Sequence, residues 1–341
     1  MSEKVVIRPA AAHNRPDSWQ AEMKFAIRDP LQLCRELELP TDILPQVRRA
    51  AQDFPVFVPR PFLRRMALGR VDDPLLLQVM PLPEECTTSG TTLGHDPVGD
   101  QQASRQPGLI HKYAHRVLLV TTGACAVHCR YCFRRHFPYS SLPRSLAEWE
   151  SAMAFIEQDS SLDEVILSGG DPFTLPDDRL EELITRLDAI PHLARLRIHT
   201  RLPIMIPQRL TGDLLRVLAN LRLRVVMVVH VNHAQEIDQE VADGLRKLQR
   251  AGAMTLNQAV LLRGVNDRVD TLQALSLALL DQGVMPYYLH QLDRVTGAEH
   301  FEVPESRGLE LMAELRCRLP GYAVPRYVRE VAGEPHKRVL A

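Results

Sequence analysis

Between Arg116 and Leu319 the chain repeats one pattern six times: a short apolar run, a polar or glycine-bearing loop, then an amphipathic helix. The runs are Arg116–Thr122, Glu164–Ser168, Leu196–Thr200, Val225–Val231, Met254–Leu262 and Met285–Leu289. Strands that are apolar on both sides need cover on both sides, so the pattern predicts a parallel sheet sheathed by helices. Crossovers of a single hand curl such a sheet toward a barrel; eight units close it, and six leave it open along one side. A doubly wound open sheet is the alternative. In either architecture the chemistry gathers at the C-terminal ends of the strands. That places the weight on residues 123–137, 168–173, 200–207, 230–233, 258–266 and 290–297. The first of the helices opens on Ser145 and Glu148, spaced as a capping box.

The α/β unit spans residues 108–322. Residues 1–107 read as helices punctuated by proline, ending in a polar, turn-rich linker from Pro81 to Pro107 that includes Thr87-Thr88-Ser89-Gly90. Residues 323–341 form a C-terminal segment. Lys and Arg total 41 against 42 Asp and Glu, a balance that argues against a sequence-independent nucleic-acid binder. No apolar run approaches the roughly 18–20 residues a bilayer span needs, and Met1 to Trp19 has no apolar signal core. The expectation is therefore a cytoplasmic protein with neither a nucleic-acid nor a membrane partner.

Of the six cysteines, Cys34, Cys86 and Cys317 are isolated, while Cys125, Cys129 and Cys132 crowd the loop after the first strand. Three thiolates at this spacing can hold an iron–sulfur cluster and leave one iron open to another ligand. Structural zinc is the rival; it wants four ligands, and His128 and His136 are near. A redox disulfide switch fits three cysteines poorly.

Cys-x3-Cys-x2-Cys after strand one, Tyr131 just before the third cysteine, and six βα units together resemble the radical S-adenosylmethionine enzymes. Ser168-Gly169-Gly170-Asp171-Pro172 resembles their glycine segment, where the lack of a Cβ lets backbone approach the methionine amino group. Cys132-Phe-Arg134-Arg135, Arg197-Ile-His-Thr-Arg201, the run Asn257 to Asp267, Pro286-Tyr-Tyr288 and His300-Phe301 narrow the match to the lysine 2,3-aminomutases. The resemblance runs from about Asp96 to Lys337 and weakly into the N-terminal helices. It implies a (β/α)6 partial barrel with an N-terminal helical extension, in agreement with the strand count.

The resemblance also implies three cofactors: a [4Fe-4S] cluster on Cys125, Cys129 and Cys132, S-adenosylmethionine, and pyridoxal 5′-phosphate bound covalently by a lysine. Lysine is scarce here, at positions 4, 24, 112, 247 and 337 only. Lys337 occupies the family position, although Gly333-Glu-Pro-His precedes it where better-known members carry a glycine run. Lys112 precedes strand one and is expected at the wrong end of the barrel. Arg116 and Tyr113 match contacts to the coenzyme phosphate and ring. Tyr131, Ser168, Gly169, Gly170, Asp171, His230 and Gln258 match the S-adenosylmethionine site. Arg134 matches the grip on a substrate carboxylate, a task suited to a guanidinium fork. Asp293 and Glu330 match the acid pair that holds the side-chain ammonium of lysine, with Glu330 standing where the family usually has Asp.

The implied reaction is conversion of lysine to β-lysine, an intramolecular amino transfer. A 5′-deoxyadenosyl radical takes hydrogen from the β-carbon, with electrons from a reductant such as flavodoxin or ferredoxin. A 2,3-aminomutase on another amino acid, or another radical chemistry on the same barrel, is the alternative. Longer members continue into a cysteine-bearing tail that binds zinc; this sequence stops at Ala341, so no structural zinc is expected. The short form resembles bacterial aminomutases that supply (R)-β-lysine to the enzyme that lysylates elongation factor P.

Overall fold

The computed structural model describes residues 18–86, 94–143 and 145–341. Lys4, the Met1 to Asp17 segment and Thr87 to Gly90 lie outside them. Among the described residues a single sheet runs in chain order from β1 to β10. Its centre is the expected parallel set: β3 (Arg116–Thr122), β4 (Glu164–Gly169), β5 (Arg195–Thr200), β6 (Arg224–His230), β7 (Met254–Val260) and β8 (Met285–His290). Strand order never reverses, so there is no topological switch point, and the doubly wound alternative falls. The end strands β1 and β10 do not pair with each other, and the barrel stays open.

Both edges extend beyond the six expected strands. On one side β1 (Ser104–Gln106) and β2 (Leu109–Tyr113) add an antiparallel hairpin, so part of the stretch read as linker enters the sheet. On the other, β9 (Arg326–Arg329) pairs parallel with β8, and β10 (Arg338–Val339) folds back antiparallel on β9. The C-terminal segment is thereby fixed against the barrel wall.

Among the described residues, five short N-terminal helices precede the barrel: α1 (Trp19–Lys24), α2 (Pro30–Glu36), α3 (Leu44–Asp53), α4 (Arg60–Leu63) and α5 (Pro74–Leu77). Proline starts α2 and α5 at N1, where its missing N–H costs nothing, and Asp29 and Asp73 cap them. Around the barrel run α6 (Glu150–Gln158), α7 (Asp177–Asp188), α8 (Leu202–Met205), α9 (Gly212–Ala219), α10 (Gln239–Arg250), α11 (Val269–Asp281) and α12 (Glu305–Arg316). Ser145 opens a 3₁₀ turn, Leu146–Trp149, that leads into α6, and its hydroxyl donates to the Glu148 carboxylate at 3.0 Å.

The strands sort their side chains by the period-two rule. In β5, Leu196, Ile198 and Thr200 are buried; Leu196 and Ile198 join Leu183, Ile184 and Leu187 of α7 in the main core. Arg195, Arg197 and His199 alternate with them and remain partly accessible. Arg197 pairs with Glu164 of β4, Nε donating to Oε1 at 3.1 Å. The core thus lies between sheet and helices, and the polar lumen is left for chemistry.

Candidate active site

The cysteine loop emerges from β3 and is gripped by the N-terminal helices. The His128 amide donates to Phe57 O at 3.0 Å, and the Arg130 amide to Gln78 O at 2.9 Å. The fully buried Arg130 guanidinium forks onto Glu85 at 2.8 and 2.6 Å. From the other side the loop lies against Gly169 and Gly170 at the end of β4. A Cβ on Gly170 would stand 2.2 Å from Ala124 O, and one on Gly169 2.7 Å from Thr122 O. The glycine segment is required here because the end of β3 and the cysteine loop after it occupy the space a side chain would need.

Cys125, Cys129 and Cys132 are free, half-buried thiols carried on this one loop. Burial, then the charge of Cys129, pushes the Cys132 thiol up to about 11; burial, then Cys132, raises Cys125 as well. Thiols that resist ionising, as Cys125 and Cys132 do here, suit a centre that brings cationic charge, as iron does. This is the donor chemistry of an iron–sulfur cluster.

Deeper in, Tyr131 and His230 stack with ring centroids 5.7 Å apart, and the Tyr131 hydroxyl lies 2.9 Å from His230 Nε2. Burial keeps His230 neutral, so the hydroxyl can donate to that nitrogen. Gln258 sits beside His230 in the β6–β7 register. Asp171 is spent on the fold: Oδ1 accepts from Thr200 Oγ1 at 2.6 Å and Phe173 N at 3.0 Å, Oδ2 from the amides of Arg201 and Leu202 at 2.7 and 2.9 Å. It ties the loop after β4 to the loop after β5.

A line of alternating charges crosses the barrel mouth. Arg134 donates to Ser168 Oγ at 3.0 Å and pairs with Asp100 at 2.8 Å. Asp100 also takes the Lys112 ammonium at 2.6 Å. Lys112 reaches Glu330 at 2.9 Å, and the second Glu330 oxygen takes Lys337. Burial opposes ionisation of Glu330, but Lys337 and Lys112 together draw its carboxyl down to about 2. Asp293 is the exception. It makes no ion pair among the described residues; burial first, then the Glu330 charge, pushes its carboxyl up to about 7. Burial followed by the Glu330 charge also raises the Tyr113 hydroxyl, and the Arg116 guanidinium lies 4.9 Å above the Tyr113 ring centroid.

The expectation for Lys112 is corrected. It does not lie at the wrong end of the barrel, because β2 belongs to the hairpin that ends one side of the sheet, and its long lysine side chain reaches across the open seam to Glu330, just after β9. Asp100 was missed because its segment reads as polar linker, and no local pattern marks it. His199 lies in a motif already quoted and His290 opens the 290–297 stretch, yet only the fold shows an unpartnered, buried Nε2 on each. Such nitrogens suit a polar ligand in the lumen.

The Radical SAM superfamily matches residues 119–275, which include all three clustered cysteines. The chain is 44% identical over 324 residues to the L-lysine 2,3-aminomutase of Haemophilus influenzae, covering 95% of this chain and 96% of that one. It is 45% identical to the L-lysine 2,3-aminomutase of Escherichia coli, covering 95% and 94%. The chain belongs to the lysine 2,3-aminomutase family. A further member, from Clostridium subterminale, is 37% identical over 77% of this chain and 63% of its own length. Membership in this aminomutase family brings the [4Fe-4S] cluster, S-adenosylmethionine and pyridoxal phosphate as cofactors, and makes the chain an isomerase. The residues present fit all three groups: three thiols on one loop, a polar lumen with unpartnered histidine nitrogens, and a lysine amine on Glu330, the carboxylate that also faces Tyr113. No helix among the described residues is long and apolar enough to cross a membrane.

Proposed function

We propose that this chain converts lysine to β-lysine, with Cys125, Cys129 and Cys132 holding the cluster and Lys337 binding pyridoxal phosphate. The observation that carries the substrate is Asp293, a half-buried carboxyl near Glu330 that makes no ion pair among the described residues. A lysine side-chain ammonium supplies that cation, whereas a glutamate side chain adds a third like charge, so the site rejects by repulsion as well as selecting by attraction. Arg134 lies at the other end of the charge line, next to Ser168, where a guanidinium can take the substrate carboxylate. Arg116 and Tyr113 flank the coenzyme, and Tyr131, Ser168, Gly169, Gly170, His230 and Gln258 line the S-adenosylmethionine side. When bound, the cofactors supply a carbon radical and a carrier for the migrating amino group. The protein's part is to fix the substrate at both ends so that one hydrogen on its β-carbon is presented, a positioning task.

A one-electron donor such as flavodoxin or ferredoxin reduces the cluster in the cytoplasm, and the β-lysine passes to an elongation factor P lysylating enzyme. The test is anaerobic incubation with S-adenosylmethionine, dithionite and either lysine or glutamate. β-Lysine from lysine alone is expected; equal turnover of both amino acids removes the lysine assignment. For the destination, elongation factor P from cells lacking this protein is expected to lose the mass of one lysyl modification.

A further inference from the structure

Arg201 follows β5 and is buried beneath the cysteine loop. Its Nη1 donates to the Cys129 sulfur at 2.7 Å and to the Tyr131 hydroxyl at 2.6 Å. Its Nη2 donates to Gln78 Oε1 at 2.6 Å and pairs with Glu236 at 3.0 Å. Glu236 is fully buried, and its other oxygen accepts from the amides of Asn232 and His233 and from Gln78. The guanidinium is therefore clamped by groups from three parts of the chain, with one nitrogen against a thiol. Other arginines around the loop are turned to carboxylates: Arg134 to Asp100, Arg130 and Arg135 to Glu85. Among the described residues, Arg201 is the one whose guanidinium donates to a cysteine sulfur.

We propose that Arg201 sets the reduction potential of the cluster held by Cys129 and its two neighbours, making the reduced form easier to reach. The inference rests on the reading of Cys125, Cys129 and Cys132 as the cluster ligands. When one electron enters from an external donor, the cluster gains one unit of negative charge and no bond forms or breaks. A fixed positive charge and an N–H donor on the sulfur stabilise that more negative state, and burial keeps water from screening them. Glu236 acts in the opposite sense, because its carboxylate offsets part of the Arg201 charge. Arg201 is thus a positioning residue for charge, acting on the potential through the cysteine sulfur.

The two charges give a test with opposite signs. Arg201→Gln and Glu236→Gln are reconstituted anaerobically with iron and sulfide, and the cluster is followed by electron paramagnetic resonance during potentiometric reduction with dithionite. Arg201→Gln is expected to shift the midpoint to more negative potential, with Arg201→Lys between it and the wild type. Glu236→Gln is expected to shift it to more positive potential. Wild-type midpoints in both variants at full iron content, or shifts of the same sign, overturn the proposal. Should Arg201→Gln fail to hold iron, Glu236→Gln decides alone: an upward shift supports the role of Arg201, and no shift or a downward one removes it. A wild type that assembles no four-iron cluster defeats the ligand reading itself, which iron analysis registers before any potential is measured.

Discussion

The Lys112 ammonium lies 2.9 Å from the Glu330 carboxylate, bridging two edges of the sheet that are 218 residues apart in the chain. The same carboxylate holds Lys337, so two lysine amines share one acid at the open seam of the barrel. Borohydride trapping of the coenzyme followed by peptide mapping distinguishes them. Lys112→Ala is expected to keep the adduct on Lys337, and Lys337→Ala to lose it while retaining the iron–sulfur cluster. An adduct mapped to Lys112 in the wild type exchanges the roles of the two lysines.

As the proposed seat of the substrate ammonium, Asp293 is expected to make substrate use depend on pH. Its carboxyl, raised to about 7 by burial and by Glu330, is largely protonated below that pH and cannot pair with an ammonium. The KM for lysine is expected to rise as pH falls from 8 to 6, with kcat less affected. Asp293→Asn flattens this profile and weakens lysine use roughly 10- to 100-fold, from about 1.5–3 kcal/mol for a charged hydrogen bond. The stability effect has the opposite sense. The folded state holds this proton more tightly than the unfolded chain, so its contribution is present in acid and is lost as pH rises from about 4 to about 7. Without substrate at pH 8, the Asn variant is expected to melt above the wild type.

Asp100 holds two cations that belong to opposite ends of the site. Burial opposes its ionisation, but Arg134 and Lys112 outweigh that and keep the carboxyl below its usual range. Its contribution is therefore present at neutral pH and disappears as acid protonates the group. Asp100→Asn leaves both partners short of a counter-charge, which for a buried pair costs about 3–5 kcal/mol. Urea unfolding at pH 7 is expected to show a loss of this size, and a wild-type midpoint shows that the pairs contribute nothing.

Gly170→Ala tests the packing of the cysteine loop. The new Cβ meets the Ala124 carbonyl, a backbone atom that cannot rotate aside. Overpacking of this kind costs about 1–3 kcal/mol, and the strain falls on the loop bearing Cys125. Iron bound after reconstitution is expected to drop although every cysteine remains. Full iron content and unchanged stability place the loop elsewhere.

Much of this molecule is legible in its sequence because it is set by local pattern. Six apolar runs and six amphipathic helices specify β3 to β8 and their sheath, since each strand carries an apolar face that only a covering helix can bury. The spacing of Cys125, Cys129 and Cys132 puts three soft ligands in one loop whatever surrounds them. The rest depends on segments remote in sequence meeting at the seam. Strand order decided between barrel and doubly wound sheet, because periodicity fixes what a strand is and not where it lies. Asp100 and Lys112 become site residues only when the β1–β2 hairpin and β9 stand at facing edges, where a long side chain can bridge them. Charge is the other non-local property: burial and Glu330 raise the Asp293 carboxyl, while that of Glu330 falls because two lysines pair with it directly and, among the described residues, none pairs with Asp293. That difference is written in distances across the lumen, which the order of residues along the chain does not contain.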